Sequence, residues 1–279
     1  MNPHDYRTKV EGLWIPLVTP LKDGRIDLNG LKFLLDWLLD FGIDGIVVGG
    51  TTGEGTLLET GEFDELLAKT LENVCFRCPV IASVPATSTQ HGLDLINLLK
   101  HHSLSGFMLA APPYIRPTQS NLIKHFETLA KSCDCPIMLY NNPLRTGVTL
   151  TPTTINTLSD NDQFIAIKQS SPNLSDLEEI LKYGKLSVMC GDDSSLKEFL
   201  ELGAHGAVSV LGHMYPSLTL KLMNEITTHV NQLSADQNQM LKSGLDFLLN
   251  NPNPAAIKFY LSRLNLISNE LRLPLEAIR

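Results

Sequence analysis

Positive charge is scarce in this chain. Its 279 residues carry 22 Lys and Arg against 30 Asp and Glu, a formal net charge of −8. No basic run or stripe interrupts that balance, which removes the electrostatic footprint of a nucleic-acid binder. Long apolar runs are missing as well, and none approaches the length that crosses a bilayer. The N-terminal MNPHDYRTKVEGLW lacks the apolar centre of a secretion signal. The expectation is a soluble cytoplasmic protein with neither nucleic acid nor membrane as partner.

Cysteine is sparse and badly spaced for cross-linking. Cys75, Cys78, Cys133, Cys135 and Cys190 make no disulfide framework in a chain of this length. The C-x-x-C at Cys75–Cys78 has no second copy at zinc-finger spacing, and Cys133-Asp134-Cys135 is tighter than a usual ligand pair. Each pair precedes a proline and an apolar run (PVIA and PIML), so both read as reduced structural thiols at helix-to-strand junctions. The eight histidines show neither H-x-H nor H-E-x-x-H spacing, and no metal is assigned. Two nucleotide signatures are absent too. The first strand leads into PLVTPLKDG rather than G-x-G-x-x-G, and the glycine-rich GGTTGEG lacks the lysine of a phosphate-binding loop.

What is present is a rhythm. Short apolar runs at Leu13–Val18, Gly45–Gly49, Val80–Ser83, Gly106–Ala110, Ile137–Tyr140, Phe164–Lys168, Leu186–Cys190 and Ala207–Val210 alternate with helical stretches such as LKFLLDWLLDFG and LSDLEEILKYG. Runs that are continuous rather than alternating indicate parallel strands buried on both faces. Eight strand–helix units within about 220 residues predict a (β/α)8 TIM barrel over residues 1–214. From Tyr215 the alternation stops. Three helices, roughly Ser217–His229, Ala235–Leu249 and Pro254–Leu264, are expected as a C-terminal extension, residues 215–279, packed as one unit with the barrel.

Such barrels gather their chemistry where strands end, and the polar segments fall there: GGTTGEG, PPYIRP, YNNPLRTG, the lysine of FIAIK, GDDSS and SVLGH. Glycine turns expose N–H groups and threonines add donors, so GGTTGEG suits a carboxylate; it also fits a plain turn. Tyr140 can relay protons and Arg145 can grip a carboxylate through two parallel bonds, or they are a core aromatic and a solvated charge. Tyr114, in PPYIRP, is the weaker tyrosine. Asp192 and Asp193 fit helix N-caps. Lys168 can snorkel to water, or it can sit desolvated with a depressed pKa and attack a ketone. Ringed by a tyrosine, a threonine turn and an arginine on one barrel face, it points to Schiff-base formation with a keto acid.

With GTTGE, YNNPLRTG, the lysine of IAIK and the GDD turn assembled, the chain resembles the dihydrodipicolinate synthase/N-acetylneuraminate lyase family of pyruvate-dependent class I aldolases. The resemblance runs from VTPLKDGRID to NPNPAAIKFYL and ELRLPL. It implies that Lys168 is the Schiff-base lysine and Tyr140 its proton-transferring neighbour. Thr51 and Tyr114 would complete a hydroxyl relay, Tyr114 reaching in from a neighbouring subunit. Thr52 would hold the pyruvate carboxylate, Val208 would line the pyruvate pocket, and Gly191 and Asp192 of the GDD turn would join the substrate-binding set. Arg145 matches the arginine with which the synthase branch binds L-aspartate semialdehyde. A dimer or dimer of dimers is implied, with no cofactor beyond the covalently bound pyruvate.

The chain departs from the synthase pattern after the lysine, where Gln169-Ser170-Ser171-Pro172 replaces the usual E-A-T-G, and at Pro113, where a tyrosine is usual. The altered segment keeps a sugar-derived 2-keto acid lyase as an alternative, and a non-catalytic keto-acid-binding barrel is a second. The family's lysine-feedback site would need polar and histidine residues where this chain has Gly55, Thr60, Phe63, Thr87 and His91. Millimolar lysine is accordingly expected to leave activity unchanged, and an inhibition curve measures it.

Overall fold

The eight apolar runs become strands because their residues cannot remain in water and their backbone groups then need partners. In the computed structural model, which describes residues 10–171 and 173–278, they are joined by a small hairpin that the periodicity did not announce. Most of the N-terminal stretch read for a secretion signal and the proline of QSSP lie outside the described residues. The strands in chain order are β1 (Gly12–Pro16), β2 (Leu21–Lys22), β3 (Arg25–Ile26), β4 (Gly45–Val48) and β5 (Val80–Val84). They continue with β6 (Gly106–Ala110), β7 (Ile137–Asn141), β8 (Phe164–Gln169), β9 (Ser187–Cys190) and β10 (Gly206–Val208). All but β2 and β3 close into a barrel in the order β1-β10-β9-β8-β7-β6-β5-β4, with helices between them. Fold class and the number of barrel strands agree with the sequence reading.

Side-chain caps set the helix starts. Asp27, Ser88, Thr118, Thr151 and Ser234 each accept a first-turn N–H. The helices after Tyr215 span Pro216–Thr228, Ala235–Asn250 and Ala255–Arg263, each within a few residues of its expected bounds. Two four-residue helices, Pro143–Thr146 and Leu211–Met214, occupy segments read as loops. Four residues make barely one turn, too few to show a period.

By contacts the chain divides into two compact units. One holds Met1–Gly12 and Ile81–Val208, with β6 to β10 in continuous parallel register. There Gln163 Nε2 donates to the carbonyls of Ala130, Cys133 and Cys135 at 2.9, 2.7 and 3.1 Å, closing the turn that feeds β7. All five cysteines of the chain are free thiols, as the spacing suggested.

The other unit holds Leu13–Val80 and Ser209–Arg279. β1 and β4 pair in parallel, and Trp14 lies where any Cβ on Gly45 would stand, 2.4 Å from the indole. His213 is fully enclosed between the backbone of Pro16 and Val18, and burial holds its pKa near 3, so it stays neutral. The β2–β3 hairpin turns at Asp23-Gly24, both at positive φ, as a D-G turn requires. Its tip N–H groups donate to the Glu270 carboxylate at 2.9 and 2.6 Å.

Candidate functional site

Parallel pairing carries one row of residues across five strands of the Ile81–Val208 unit. Ala110, Tyr140, Lys168, Met189 and Gly206 are successive register partners on β6, β7, β8, β9 and β10. Tyr140 and Lys168, distant in sequence, therefore stand side by side near the C-terminal ends of their strands. Lys168 Nζ lies 4.5 Å from the centroid of the Tyr140 ring. Both residues are enclosed, 7% and 8% exposed respectively. An ammonium over an aromatic face is held by the ring quadrupole, an attraction of about 2 kcal/mol when desolvated. The lysine is thus seated on its neighbour and does not snorkel to water.

Asn142 organises the next layer with both ends of its amide. Its Nδ2 donates to Tyr140 Oη at 2.8 Å, and its Oδ1 accepts the Arg145 N–H at 3.2 Å. That second bond caps the short helix Pro143–Thr146, on which Arg145 is exposed. Burial pushes the Tyr140 phenol's pKa up, but the Lys168 charge, the Asn142 and Ser170 side chains and the Arg145 charge together outweigh it. The net direction is down, toward a phenol that gives up its proton more readily.

Gly191 explains itself by contact. A Cβ there would lie 2.1 Å from Ser170 Oγ and 2.9 Å from both Cγ and Cε of Lys168, so the backbone after β9 passes against the lysine stem. Val208, the last residue of β10, is buried one register step beyond Ala207 and Cys190. Asp192 Oδ1 accepts the Ser194 N–H at 3.0 Å and the Ser194 hydroxyl at 2.7 Å, the cap role that its position suggested. Tyr114 is not brought to this cluster in its own chain. Its ring is 93% exposed on a backbone at φ 77°, strained for a residue with a side chain, next to exposed Ile115.

Thr51 and Thr52 belong to the other unit. The turn after β4 folds on itself through Gly53 N to Gly50 O and Gly55 N to Gly50 O, at 3.0 and 3.1 Å. Gly55 is obligatory because a Cβ would fall 1.8 Å from the Gly49 carbonyl. Thr51 is exposed, whereas Thr52 is buried and its hydroxyl accepts from Asn253 Nδ2 at 3.1 Å. Glu54 sits at φ 54° and is locked there from below. Its carboxylate accepts the Lys258 ammonium, and at 2.9 Å the Arg272 N–H. Both side chains of the ion pair are fully buried. Burial pulls the Lys258 pKa down, and Glu54 offsets part of this. Arg272 itself forks onto both oxygens of Glu62, holding that carboxyl below its usual range.

Sequence reasoning missed Asn142, Ser170 and the Glu54–Lys258 pair. The second asparagine of YNNP was a visible Pro-helix cap, and the lysine of NPNPAAIK was a charge inside an apolar helix. Ser170 carried no signal beyond its departure from the family pattern.

Residues 9–279 match the dihydrodipicolinate synthetase family. The chain belongs to that family. It is 32% identical over 267 residues to a 4-hydroxy-tetrahydrodipicolinate synthase of Methanococcus maripaludis, covering 95% of this chain and 92% of that one. A synthase of the same name from Syntrophus aciditrophicus is 33% identical with the same coverage. Among solved structures, the dihydrodipicolinate synthase of Aquifex aeolicus superposes with a TM-score of 0.92 at 30% identity, covering 97% of this chain and 93% of that chain. A monomeric dihydrodipicolinate synthase variant gives 0.93 at 29% identity, with 99% and 94% covered. The chain is an enzyme of the lyase type, and no helix among its described residues is long and apolar enough to cross a membrane.

Within this dihydrodipicolinate synthetase fold the Glu54–Lys258 pair predicts a sharp stability asymmetry. Lys258→Met strands a buried carboxylate and is expected to cost about 3–5 kcal/mol, whereas adding Glu54→Gln recovers much of the loss. Urea unfolding of the single and double variants measures both.

Proposed function

We propose that this enzyme condenses pyruvate with L-aspartate 4-semialdehyde to give 4-hydroxy-tetrahydrodipicolinate, through a Schiff base on Lys168. The observation that carries the reading is the enclosed contact of Lys168 Nζ with the Tyr140 ring at the strand ends. A nucleophilic amine needs a nearby proton carrier, first to lose water from the carbinolamine and then to make the enamine. Tyr140 is that carrier, its phenol eased toward ionisation by its neighbours. The resemblance assigns the keto-acid carboxylate to the Thr51–Thr52 turn and the apolar wall to Val208. Gly191 leaves space beside the lysine, and Asp192 shapes the same turn by capping it.

The reaction then proceeds without an outside electron sink. The Lys168 imine draws the electrons of the pyruvate methyl carbon into an enamine as Tyr140 removes a proton. The enamine attacks the aldehyde, and the amine of the substrate closes the ring and releases Lys168. Arg145, exposed beside Asn142, takes the carboxylate of the aldehyde. We further propose that residues 1–214 act as the barrel and 215–279 as its extension. Exposed Tyr114 would serve a neighbouring copy in a dimer or dimer of dimers. We place the reaction in lysine and diaminopimelate biosynthesis, in the cytoplasm; the name that the relatives share, 4-hydroxy-tetrahydrodipicolinate synthase, supports the reaction.

The sugar-acid lyase reading rests on the QSSP segment, and Arg145 favours the synthase. Borohydride reduction with pyruvate is expected to leave one stable adduct on Lys168, found by peptide mass spectrometry; well-folded protein without it would exclude every Schiff-base reading. Arg145→Ala is expected to raise KM for aspartate semialdehyde at least ~30-fold, the loss of a charge-assisted bond of about 2 kcal/mol. The KM for pyruvate should stay within twofold. Steady-state assays with both substrates, beside cleavage assays on sialic and keto-deoxy sugar acids, decide between the synthase and the lyase.

A further inference from the structure

Ser170 is two residues past the lysine, and the backbone there is fixed on both sides. Its N–H donates to the Asn141 carbonyl at the end of β7, at 2.9 Å. The Gly191 N–H, at the end of β9, donates to the Gln169 carbonyl at 2.9 Å. The Ser170 hydroxyl and Lys168 Cε press on the same face of Gly191, so the two are immediate neighbours. The residue is buried, and its Oγ is shut off from solvent with no well-aligned hydrogen-bond partner in this conformation. A buried hydroxyl left so is costly unless a small rotation finds an acceptor.

Tyr140 pairs in register with Lys168, and Ser170 follows Lys168 on the same face of the chain and is tied to Asn141. The Ser170 side chain acts on the phenol, and the acceptor at hand is Tyr140 Oη. It takes one bond from Asn142 Nδ2, and a phenol oxygen can accept another. We propose that Ser170 is a positioning residue for proton transfer: its hydroxyl donates to Tyr140 Oη and supports the phenolate that takes a proton from the pyruvate methyl carbon. The inference rests on the reading of Lys168 as the Schiff-base amine and of Tyr140 as its proton carrier. It gives the chain a hydroxyl partner for Tyr140 within the same subunit, at a position where the synthase pattern has alanine. The lowering of the phenol's pKa by Ser170 and Asn142 accords with it. The other charges facing the phenol are Lys168 on β8 and Arg145 beyond β7. Cys190 on β9, held near 12 by burial, remains a neutral thiol, and the charges of Asp193 and Asp192 push it the same way.

In the step at issue, the C–H bond of the imine's methyl group breaks. Its proton goes to Tyr140 and its electron pair forms the enamine double bond. Reversal in heavy water returns a deuteron. Exchange of the pyruvate methyl hydrogens, followed by proton NMR across pH, therefore reports the phenolate directly, with no aldehyde present. Ser170→Ala leaves Tyr140 Oη its bond from Asn142, so the fold should stand. Losing a donor to the phenolate raises the phenol's pKa, so the rising limb of the exchange profile moves to higher pH. The expected displacement is about half to one unit, a roughly three- to tenfold loss of rate on that limb. The borohydride adduct should be undiminished. Superimposed profiles, with adduct formed in both proteins, overturn the role of Ser170 and leave the Schiff-base reading intact. Failure of the unaltered enzyme to form adduct overturns both. Should S170A not fold, the isosteric pair S170T and S170V puts the same question. The hydroxyl variant should hold the lower limb and the valine variant the higher one, and equal limbs in the pair reject the proposal.

Discussion

The parallel register between β7 and β8 is the constraint on which the chemistry depends. Once Ile137 pairs with Phe164, and Met138 with Ala166 across a register shift, Tyr140 has no place except opposite Lys168. The contact between amine and ring is then a consequence of backbone hydrogen bonding, not of the two side chains seeking each other. Slipping such a ladder by one residue sends side chains to the opposite face, which would put apolar Ile167 beside the phenol and carry the lysine out of reach. The buried apolar residues of β7 and β8 forbid that slip, since each fills space only in the observed register. Core packing and placement of the nucleophile are one requirement.

The threonine turn of the other unit obeys a different logic. Its residues are small, so beyond the Phe63 ring packed on Gly49 its shape comes from close backbone contact and from charge. Gly55 approaches the Gly49 carbonyl too closely for any side chain, and Glu54 takes a left-handed conformation that costs free energy. The Lys258 ammonium and the Arg272 N–H hold that carboxylate from beneath. A buried ion pair adds little net stability over an apolar pair of equal volume, yet it tolerates only one arrangement. Here the arrangement fixed is that of the turn. The C-terminal extension thereby supplies residues that determine the shape of a loop after β4.

Much of this was legible in the sequence, and the limits of legibility have physical causes. The eight strands could be read because continuous apolar runs mark buried parallel strands. The three C-terminal helices could be read because their lengths exceed two turns. The hairpin at Leu21–Ile26 was passed over although its Asp-Gly turn was in plain view, because two-residue strands carry no periodicity. Lys168, Tyr140 and Arg145 were found from position, each falling where an apolar run gives way. Asn142 was harder. An asparagine next to a proline looks like an ordinary cap, and only coordinates reveal that the other end of its amide serves the phenol. Glu54 and Lys258 are separated by most of the chain, and no local pattern could have paired them. The sequence favours a carboxylate at GGTTGEG, which lacks the lysine of a phosphate-binding loop. A cation is in fact beneath the turn, but Glu54 occupies it.

The departure after the lysine becomes intelligible in the same terms. Gln169 and Ser170 are tied to β7 and β9 through backbone groups, Ser170 N to Asn141 O and Gly191 N to Gln169 O. Those bonds ask nothing of the side chains, so the segment can change its residues while Lys168 stays in register. The freedom is bounded only by volume, since Ser170 Oγ already meets the space that Gly191 leaves open. A position whose backbone is fixed and whose side chain faces the reacting pair can vary without unfolding the barrel. What such variation alters is the environment of the phenol, and through it the ease with which a proton moves.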